Sequence, residues 1–360
     1  MTTRRGEQRR ADTPRAIVRD RRGAGTRYEA DFDGRPVFDF LVSLILDADD
    51  EEELLADDRR WFTASRAGMP AALRELLDLE RRESGPPNLP ALAIERPEIA
   101  DAAGYVRAVE ELPAGELVRA LLADVLERDE VAPHSQAALA GDPAAFETIR
   151  EQVGPEQSLE LLRDPDASLA TLRTGLRYWL ERYRMVEDHV RRALERDVAD
   201  RAIDRATLPA PELVERTTGG IRFFADPGIR RVLLAPTYFG RPYNHIFAAD
   251  GWRLFCYPIA ESAIGGRDGF APPPGTVRLH RALGDATRLR VLKLLAERDH
   301  YLTELAQQLG LSKPTMKHHL AQLRIAGLVS VTEEGSLTYY SLRRDRLDAA
   351  GKEVRDYLRT

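Results

Sequence analysis

Residues 279–342 read LHRALGDATRLRVLKLLAERDHYLTELAQQLGLSKPTMKHHLAQLRIAGLVSVTEEGSLTYYSL, and this stretch decides the fold. It divides into helix, helix, tight turn, helix and hairpin. Asp285 is placed to cap a helix with the apolar face Leu289, Leu292, Leu294 and Leu295. Thr303 is placed to cap the next, with Glu304 near its positive N-terminal end. Gly310 supplies the positive φ that stops this short helix, and the small Ala306 lets a following helix cross closely. Ser312 caps a third helix with Pro314 in its first turn, where a missing N–H costs nothing. Met316, Leu320 and Leu323 fall at i, i+4 and i+7 and make its buried stripe. Two helices crossing over a short glycine turn form a helix-turn-helix. Val329 to Thr332, the turn Glu333-Glu334-Gly335-Ser336 and Leu337 to Leu342 then form a β-hairpin wing.

The third helix presents a polar, basic side. Lys313, Lys317 and Arg324 lie roughly 60–100° around the axis from Met316, and His318 lies nearly opposite it. No Asp or Glu occurs from Leu305 to Thr332, 28 residues in which the chain's 59 carboxylates per 360 would place about five. A nearby carboxylate would repel phosphates, the main source of affinity for nucleic acid, whereas Ser312, Thr315, Lys317 and His318 are short or cationic donors able to reach base edges in a major groove. The acidic wing tip is discordant, since a tip pressed to DNA would rather carry Lys or Arg.

From about Val277 to Asp345 the chain resembles the winged helix-turn-helix domain of ArsR-type transcriptional regulators. The opening LHRALGDATRLRVLKLL, the run TELAQQLGLSKPTMKHHLAQLRIAGLV and the return strand with Tyr339-Tyr340 carry the resemblance. It implies that Ser312, Lys313, Thr315, Lys317 and His318 are DNA-reading positions, with Thr303, Arg324 and Tyr339 as supporting contacts. Metal-sensing members of that family carry cysteines at the start of the first helix of the motif, or His and carboxylates along the last helix. Here the first place reads His300-Tyr301-Leu302-Thr303-Glu304, and the last helix, Asp345 to Leu358, has Asp348, Glu353 and Asp356 but no histidine. His318 and His319 point about 100° apart and cannot clasp one ion from a single face. No metal and no cofactor are expected. Leu347, Ala350, Val354 and Leu358 form a narrow seam on the last helix that suits either a partner helix or packing within the monomer.

Outside this domain the charge changes sign. Thr276 to Thr360 carries 15 Lys+Arg against 10 Asp+Glu, whereas the rest carries 38 against 49. The first 26 residues hold eight Arg against three carboxylates, which leaves residues 27–275 at −16. A polyanion is therefore repelled by the middle and attracted by the ends. Residues 1–26 read as a disordered basic arm, because they have almost no apolar periodicity. Residues 27–260 read as a helical regulatory domain ending in a small sheet. Tyr28 to Asp33 alternates as a strand, Phe38, Leu41, Val42, Ile45 and Leu46 recur at helical spacing, and Asp166 to Ala206 reads as one long helical piece. Ile221 to Phe224, Val232 to Leu234, His245 to Ala248 and Trp252 to Tyr257 are short β-prone runs assigned to the small sheet. Residues 261–275, with Gly265-Gly266, Gly269 and Pro272 to Pro274, read as an interdomain linker or a partly ordered loop, and 276–360 as the winged domain. The fold class is mainly α with small β elements (α+β).

At 360 residues the chain has room for two or three domains. The run Val37 to Leu46 is broken by Asp39 and Ser43 and is shorter than the roughly 20 residues of a membrane helix. No secretory signal is readable, so the expected compartment is the cytoplasm, with no membrane partner. The single cysteine, Cys256, excludes an intramolecular disulfide and a thiolate-rich metal site. No G-x-S-x-G, H-E-x-x-H, Walker or dinucleotide motif occurs, so no catalytic residues are assigned and no enzyme is expected. Tyr238, Tyr243, His245, Trp252 and Tyr257 cluster in and around the small sheet and are the candidate small-molecule effector pocket, with core packing as the alternative. The reading is a DNA-binding transcriptional regulator of the repressor type. It would act as a homodimer on a palindromic site in double-stranded DNA, controlled by a ligand of the front domain. A protein-interaction adaptor that uses the winged helix as a docking surface is the alternative.

Overall fold

The computed structural model describes residues 28–46, 54, 56–83, 88–153, 159–225, 228–264, 270–334 and 337–359. The expected basic arm lies outside the described residues, as do 265–269 of the expected linker and the wing tip Gly335-Ser336. The fold is mainly helical with two four-stranded sheets.

The front half is organised around the helix Val37–Ile45, whose side chains are buried from Val37 to Leu44. Such all-round burial requires packing on every side. The long helix Pro165–Tyr183 covers one side with Trp179 and Tyr183, and the ring of Phe40 meets that of Tyr183 edge-on at 5.3 Å. Asp39 and Ser43, which interrupt the apolar run, are the points where it is anchored. Trp179 Nε1 donates to Ser43 Oγ at 2.9 Å. The Asp39 carboxylate accepts from Tyr183 Oη at 2.9 Å and from the backbone N–H groups of Tyr238 and Phe239 at 2.6 and 2.9 Å. The piece expected to run unbroken from Asp166 to Ala206 is instead three helices, Pro165–Tyr183, Glu187–Asp200 and Ala202–Thr207. Its apolar stripe continues across the break at Arg184 to Val186, so periodicity alone does not reveal the turn.

The front sheet contains β1 (Glu29–Phe32), β3 (Arg231–Thr237), β4 (His245–Ala249) and β5 (Trp252–Pro258), in the order β1-β3-β5-β4, with β2 (Ile221–Phe223) elsewhere. β1, β3 and β5 run parallel and β4 is antiparallel. β3 is buried from Val232 to Thr237, as a strand covered on both faces must be. Leu233, Ala235, Leu254 and Cys256 face the helical core, while Val232, Leu234, Phe255 and Tyr257 face a second cluster with Leu213, Val214, Ile221 and Phe223.

The expectation that Ile221 to Phe224 joins the front sheet is therefore corrected. β2 pairs in parallel with β7 (Val329–Glu334) of the wing, making the second sheet β2-β7-β8-β6, where β6 is His300–Tyr301 and β8 is Leu337–Leu342. Alternation identifies a strand but not the edge it joins, and the outer edge of β7 offers backbone groups that need partners. β2 ties the halves together: its backbone bonds the wing, while Ile221 and Phe223 pack against the front sheet. Gly220 permits the approach with φ 123°, and a Cβ there would lie 3.2 Å from Ser330 Cβ.

Both ends of the expected linker are helical, while 270–273 carry no helix or strand. Glu261–Ile264 is a short helix, and the next helix, Pro274–Leu283, already begins within it. The rest of the winged domain follows as helix Ala286–Glu297, β6, helix Leu302–Leu309, helix Lys313–Ile325, the hairpin and the terminal helix Arg344–Tyr357. Its core holds Leu292, Leu295, Leu305, Met316, Leu320, Leu323 and Val329. Leu289, expected on the apolar face, is 49 % exposed, and Val291 is buried instead.

Candidate nucleic-acid interface

The helix Lys313–Ile325 is set in place by local chemistry. Gly310 ends the preceding helix at φ 66°, ψ 34°, and Leu311 N–H donates to Ala306 O at 2.9 Å. Ser312 is the N-cap: its Oγ accepts from Thr315 N–H at 3.2 Å and lies 2.7 Å from Thr315 Oγ1. Met316, Leu320 and Leu323 are fully buried, so the opposite side of the first two turns is forced outward. Ser312, Lys313, Thr315, Lys317 and His318 are all exposed there. His319 is partly covered, its Nδ1 4.0 Å from Asp285 Oδ1.

The carboxylates near this helix are engaged elsewhere. Asp285 caps its own helix through Arg288 N–H at 2.8 Å, and that bond holds its carboxyl below the usual range. Glu304 accepts from Arg298 at 3.2 Å and from Tyr301 N–H at 3.1 Å. Burial works against its ionisation, but these donors prevail and hold its carboxyl below the ordinary value. Tyr301, not Thr303, is the N-cap position of this helix, and Thr303 sits exposed in its first turn. Among the described residues, no group of three or more His, Cys, Asp or Glu side chains could hold a metal ion.

Tyr339 and Arg324 stand apart from the exposed group. Tyr339 lies on β8 opposite Tyr301, with ring centroids 4.4 Å apart and hydroxyls 3.0 Å apart. Arg324 shares a helical side with Lys313 and Lys317, but that end of the helix faces front-domain residues across a cleft. It is half-buried and lines a cleft of about 840 Å³ between the domains.

The five aromatic and histidine positions expected to form a pocket do not converge. Trp252 belongs to the main core, and Tyr257 is buried with its hydroxyl donating to Asp197 Oδ2 at 2.9 Å. Tyr238 is buried and donates to Asp58 Oδ1 at 3.0 Å. His245 begins β4, and burial, with a lesser push from the Arg324 charge, lowers its pKa to about 4. Only Tyr243 lines the cleft, where Arg241, Asn244, Arg324, Arg343 and Arg346 join it. Sequence reasoning missed Arg241, Asn244, Arg343 and Arg346, because with 49 arginines in the chain no single one stands out. A short Arg-Pro-Tyr-Asn turn between two strands was the one available signal.

Comparison with known proteins bears on the winged domain. Residues 285–331 match the family described as bacterial regulatory protein, arsR family. Over 71 residues the chain is 41 % identical to the HTH-type transcriptional regulator KmtR of Mycobacterium tuberculosis, covering 20 % of this chain and 55 % of that protein. Over 70 residues it is 39 % identical to the uncharacterized HTH-type transcriptional regulator MJ1325 of Methanocaldococcus jannaschii, covering 19 % of this chain and 79 % of that one. The chain thus spans about half the length of KmtR and most of MJ1325. The solved structure of a homodimeric winged helix-turn-helix DNA-binding domain from Mycobacterium bovis, a possible ArsR-family regulator, is 30 % identical. It covers 26 % of this chain and 90 % of that one, with a TM-score of 0.22.

Proposed function

Given that this chain belongs, through its carboxyl-terminal domain, to the arsR family of bacterial regulatory proteins, we propose that it is a repressor-type regulator. It would read a palindromic operator as a homodimer under the control of its front domain. One observation carries this reading: the first two turns of the helix Lys313–Ile325 expose Ser312, Lys313, Thr315, Lys317 and His318 within a carboxylate-free segment. Lys313 and Lys317 are suited to phosphates, and Ser312, Thr315 and His318 to phosphate or base-edge acceptors in the major groove. Thr303 and Tyr339 would support from the preceding helix and the wing.

A single reading helix spans few base pairs, whereas a two-fold pair of them, about 34–36 Å apart, reads two half-sites. Val277 and Leu358, on and just beyond the first and last helices of the domain, are exposed apolar side chains that suit a second copy. Leu347 and Ala350 of the expected seam pack within the monomer, so Val354 and Leu358 are the part left for a partner.

Selection of bound sequences from a random duplex pool tests the reading. The expected result is an enriched palindrome whose affinity falls steeply between low and moderate salt. A pool without enrichment, or binding indifferent to salt, overturns it.

A further inference from the structure

We propose that the cleft between the two domains is the effector site, and that it takes a small organic anion: a carboxylate or phosphate on a compact apolar body, held between Arg241 of the front domain and Arg324 of the reading helix. This deepens the ligand control suggested above and depends on DNA reading only for its consequence.

Arg241 is 8 % exposed, donates from Nη2 to Asp58 Oδ2 at 3.1 Å, and lays its guanidinium over the Tyr238 ring at 4.0 Å. Its Nη1 is buried with no hydrogen-bond partner among the described residues. A buried guanidinium nitrogen without an acceptor is costly, so a group that brings an acceptor is favoured there. Other arginines of the cleft are already matched: Arg201 to Asp197 at 2.8 Å, Arg343 to Asp345 at 3.0 Å and to Gly219 O at 2.7 Å, and Arg346 to Glu353. Arg324 has no carboxylate partner among the described residues, and its charge is felt by His245. Arg241 and Arg324 therefore line one cleft from two domains, and an anion between them answers both.

The remaining lining narrows the class. Asn244 donates its Nδ2 to Thr218 O at 2.9 Å and leaves Oδ1 without a partner among the described residues, an acceptor for a ligand hydroxyl or N–H. Pro242, Ile259 and Ile325 supply apolar wall. The volume of about 840 Å³ lies within the roughly 300–1,000 Å³ usual for small-molecule sites. Because Arg324 is on the same helical side as Lys313 and Lys317, an anion held there favours one placement of that side relative to the front domain. It thereby shifts the population of domain arrangements.

The test is calorimetric titration of the full chain, without DNA, with benzoate, with benzamide as its uncharged counterpart, and with inorganic phosphate. Saturable binding of benzoate or of phosphate is expected, the successful probe identifying the head group, with benzamide at least tenfold weaker. Amide resonances of Thr218, Gly219 and Gly327 should move with the bound anion. Arg324→Gln, which removes no ion pair, should weaken the anion at least tenfold; Arg241→Gln should do the same if it folds. Equal binding of benzoate and benzamide, binding of no probe, or an Arg324→Gln variant that binds as the parent does overturns the site. A separate duplex titration isolates the DNA reading: Lys317→Glu should lose the duplex and keep the anion. Failure of that arm condemns the DNA reading and leaves the cleft standing.

Discussion

The two halves of the molecule treat charge in opposite ways. In the front half the central carboxylates are buried or largely covered, and paired: Asp39 with two backbone N–H groups and the Tyr183 hydroxyl, Asp197 with Arg201 and the Tyr257 hydroxyl, and the partly covered Asp58 with Arg241. In the winged half, Lys313 and Lys317 stand in solvent in a segment cleared of carboxylates. All four lysines of the chain fall in that half, whereas the buried pairs of the front half use arginine, whose planar fork keeps several donors on a carboxylate. A charge with an internal partner holds the fold; a charge kept exposed and unopposed is available to a partner outside it. Arg241 and Arg324 lie where the two regimes meet.

The largest effect that sharpens this contrast is expected at Asp39. Asp39→Ala leaves two backbone donors and the Tyr183 hydroxyl without their acceptor inside the core. At ~1–3 kcal/mol for each of these three stranded groups, urea denaturation should show a loss of about 3–9 kcal/mol. Asp39→Asn retains an acceptor for the backbone and should cost far less. If alanine is tolerated as well as asparagine, the buried carboxylate is not an anchor. On the other side, if the proposed reading holds, Lys317→Glu should lower operator affinity by ~100-fold or more while leaving the melting temperature unchanged to within ~1 °C, because the residue is exposed and makes no part of the core. Fluorescence anisotropy with a labelled operator and a thermal melt decide it. An affinity equal to the parent's would mean that this side does not face DNA.

The connection between the halves gives a smaller effect. Gly220→Ala places a Cβ against Ser330 at a φ of 123°, so β2 must withdraw from β7 or the backbone must strain. A cost of about 1–3 kcal/mol follows. The Val331 amide, bonded to Gly220 O at 2.9 Å, should exchange with deuterium faster, while Met316 and Leu320 in the winged core keep their protection. Unchanged exchange at Val331 would show that β2 is not what ties the wing to the front half.

The same contrast governs what could be read before the structure. The helix-turn-helix was legible because its determinants are local: the Ser312 cap, the left-handed Gly310 and the Met316, Leu320 and Leu323 stripe each act within a few residues. The front strands were legible as strands, but β2 joins an edge more than a hundred residues away, and alternation carries no information about partners. Arg324 was placed correctly around its helix but not in its surroundings, since the Arg241 to Asn244 loop that shares its cleft is also distant in sequence. The pocket expected from Tyr238, Trp252 and Tyr257 was core, because large aromatics fill a sheet-on-helix interior as readily as they line a cavity.

The smallest effect concerns pH, where two front-domain groups oppose each other. Burial raises the Asp39 pKa to about 6 from an unfolded value near 3.8, against the lowering pull of Phe239, Tyr183, Tyr238 and Arg241. The folded state thus binds more protons than the unfolded one between those values, and this group's contribution to stability falls as pH rises through that window. Burial lowers His245 to about 4 from 6.5, so there the folded state binds fewer protons and the contribution rises with pH between 4 and 6.5. Each shift of about two units is worth ~3 kcal/mol, with opposite sign, so the two contributions largely offset each other between pH 4 and 6.5. Asp39→Asn removes the falling contribution, so its stability relative to the parent should grow with pH across that range. His245→Gln removes the rising one, so its relative stability should decline. Urea midpoints for the three proteins at half-unit pH steps provide the measurement, and parallel curves would mean that neither group titrates differently on folding.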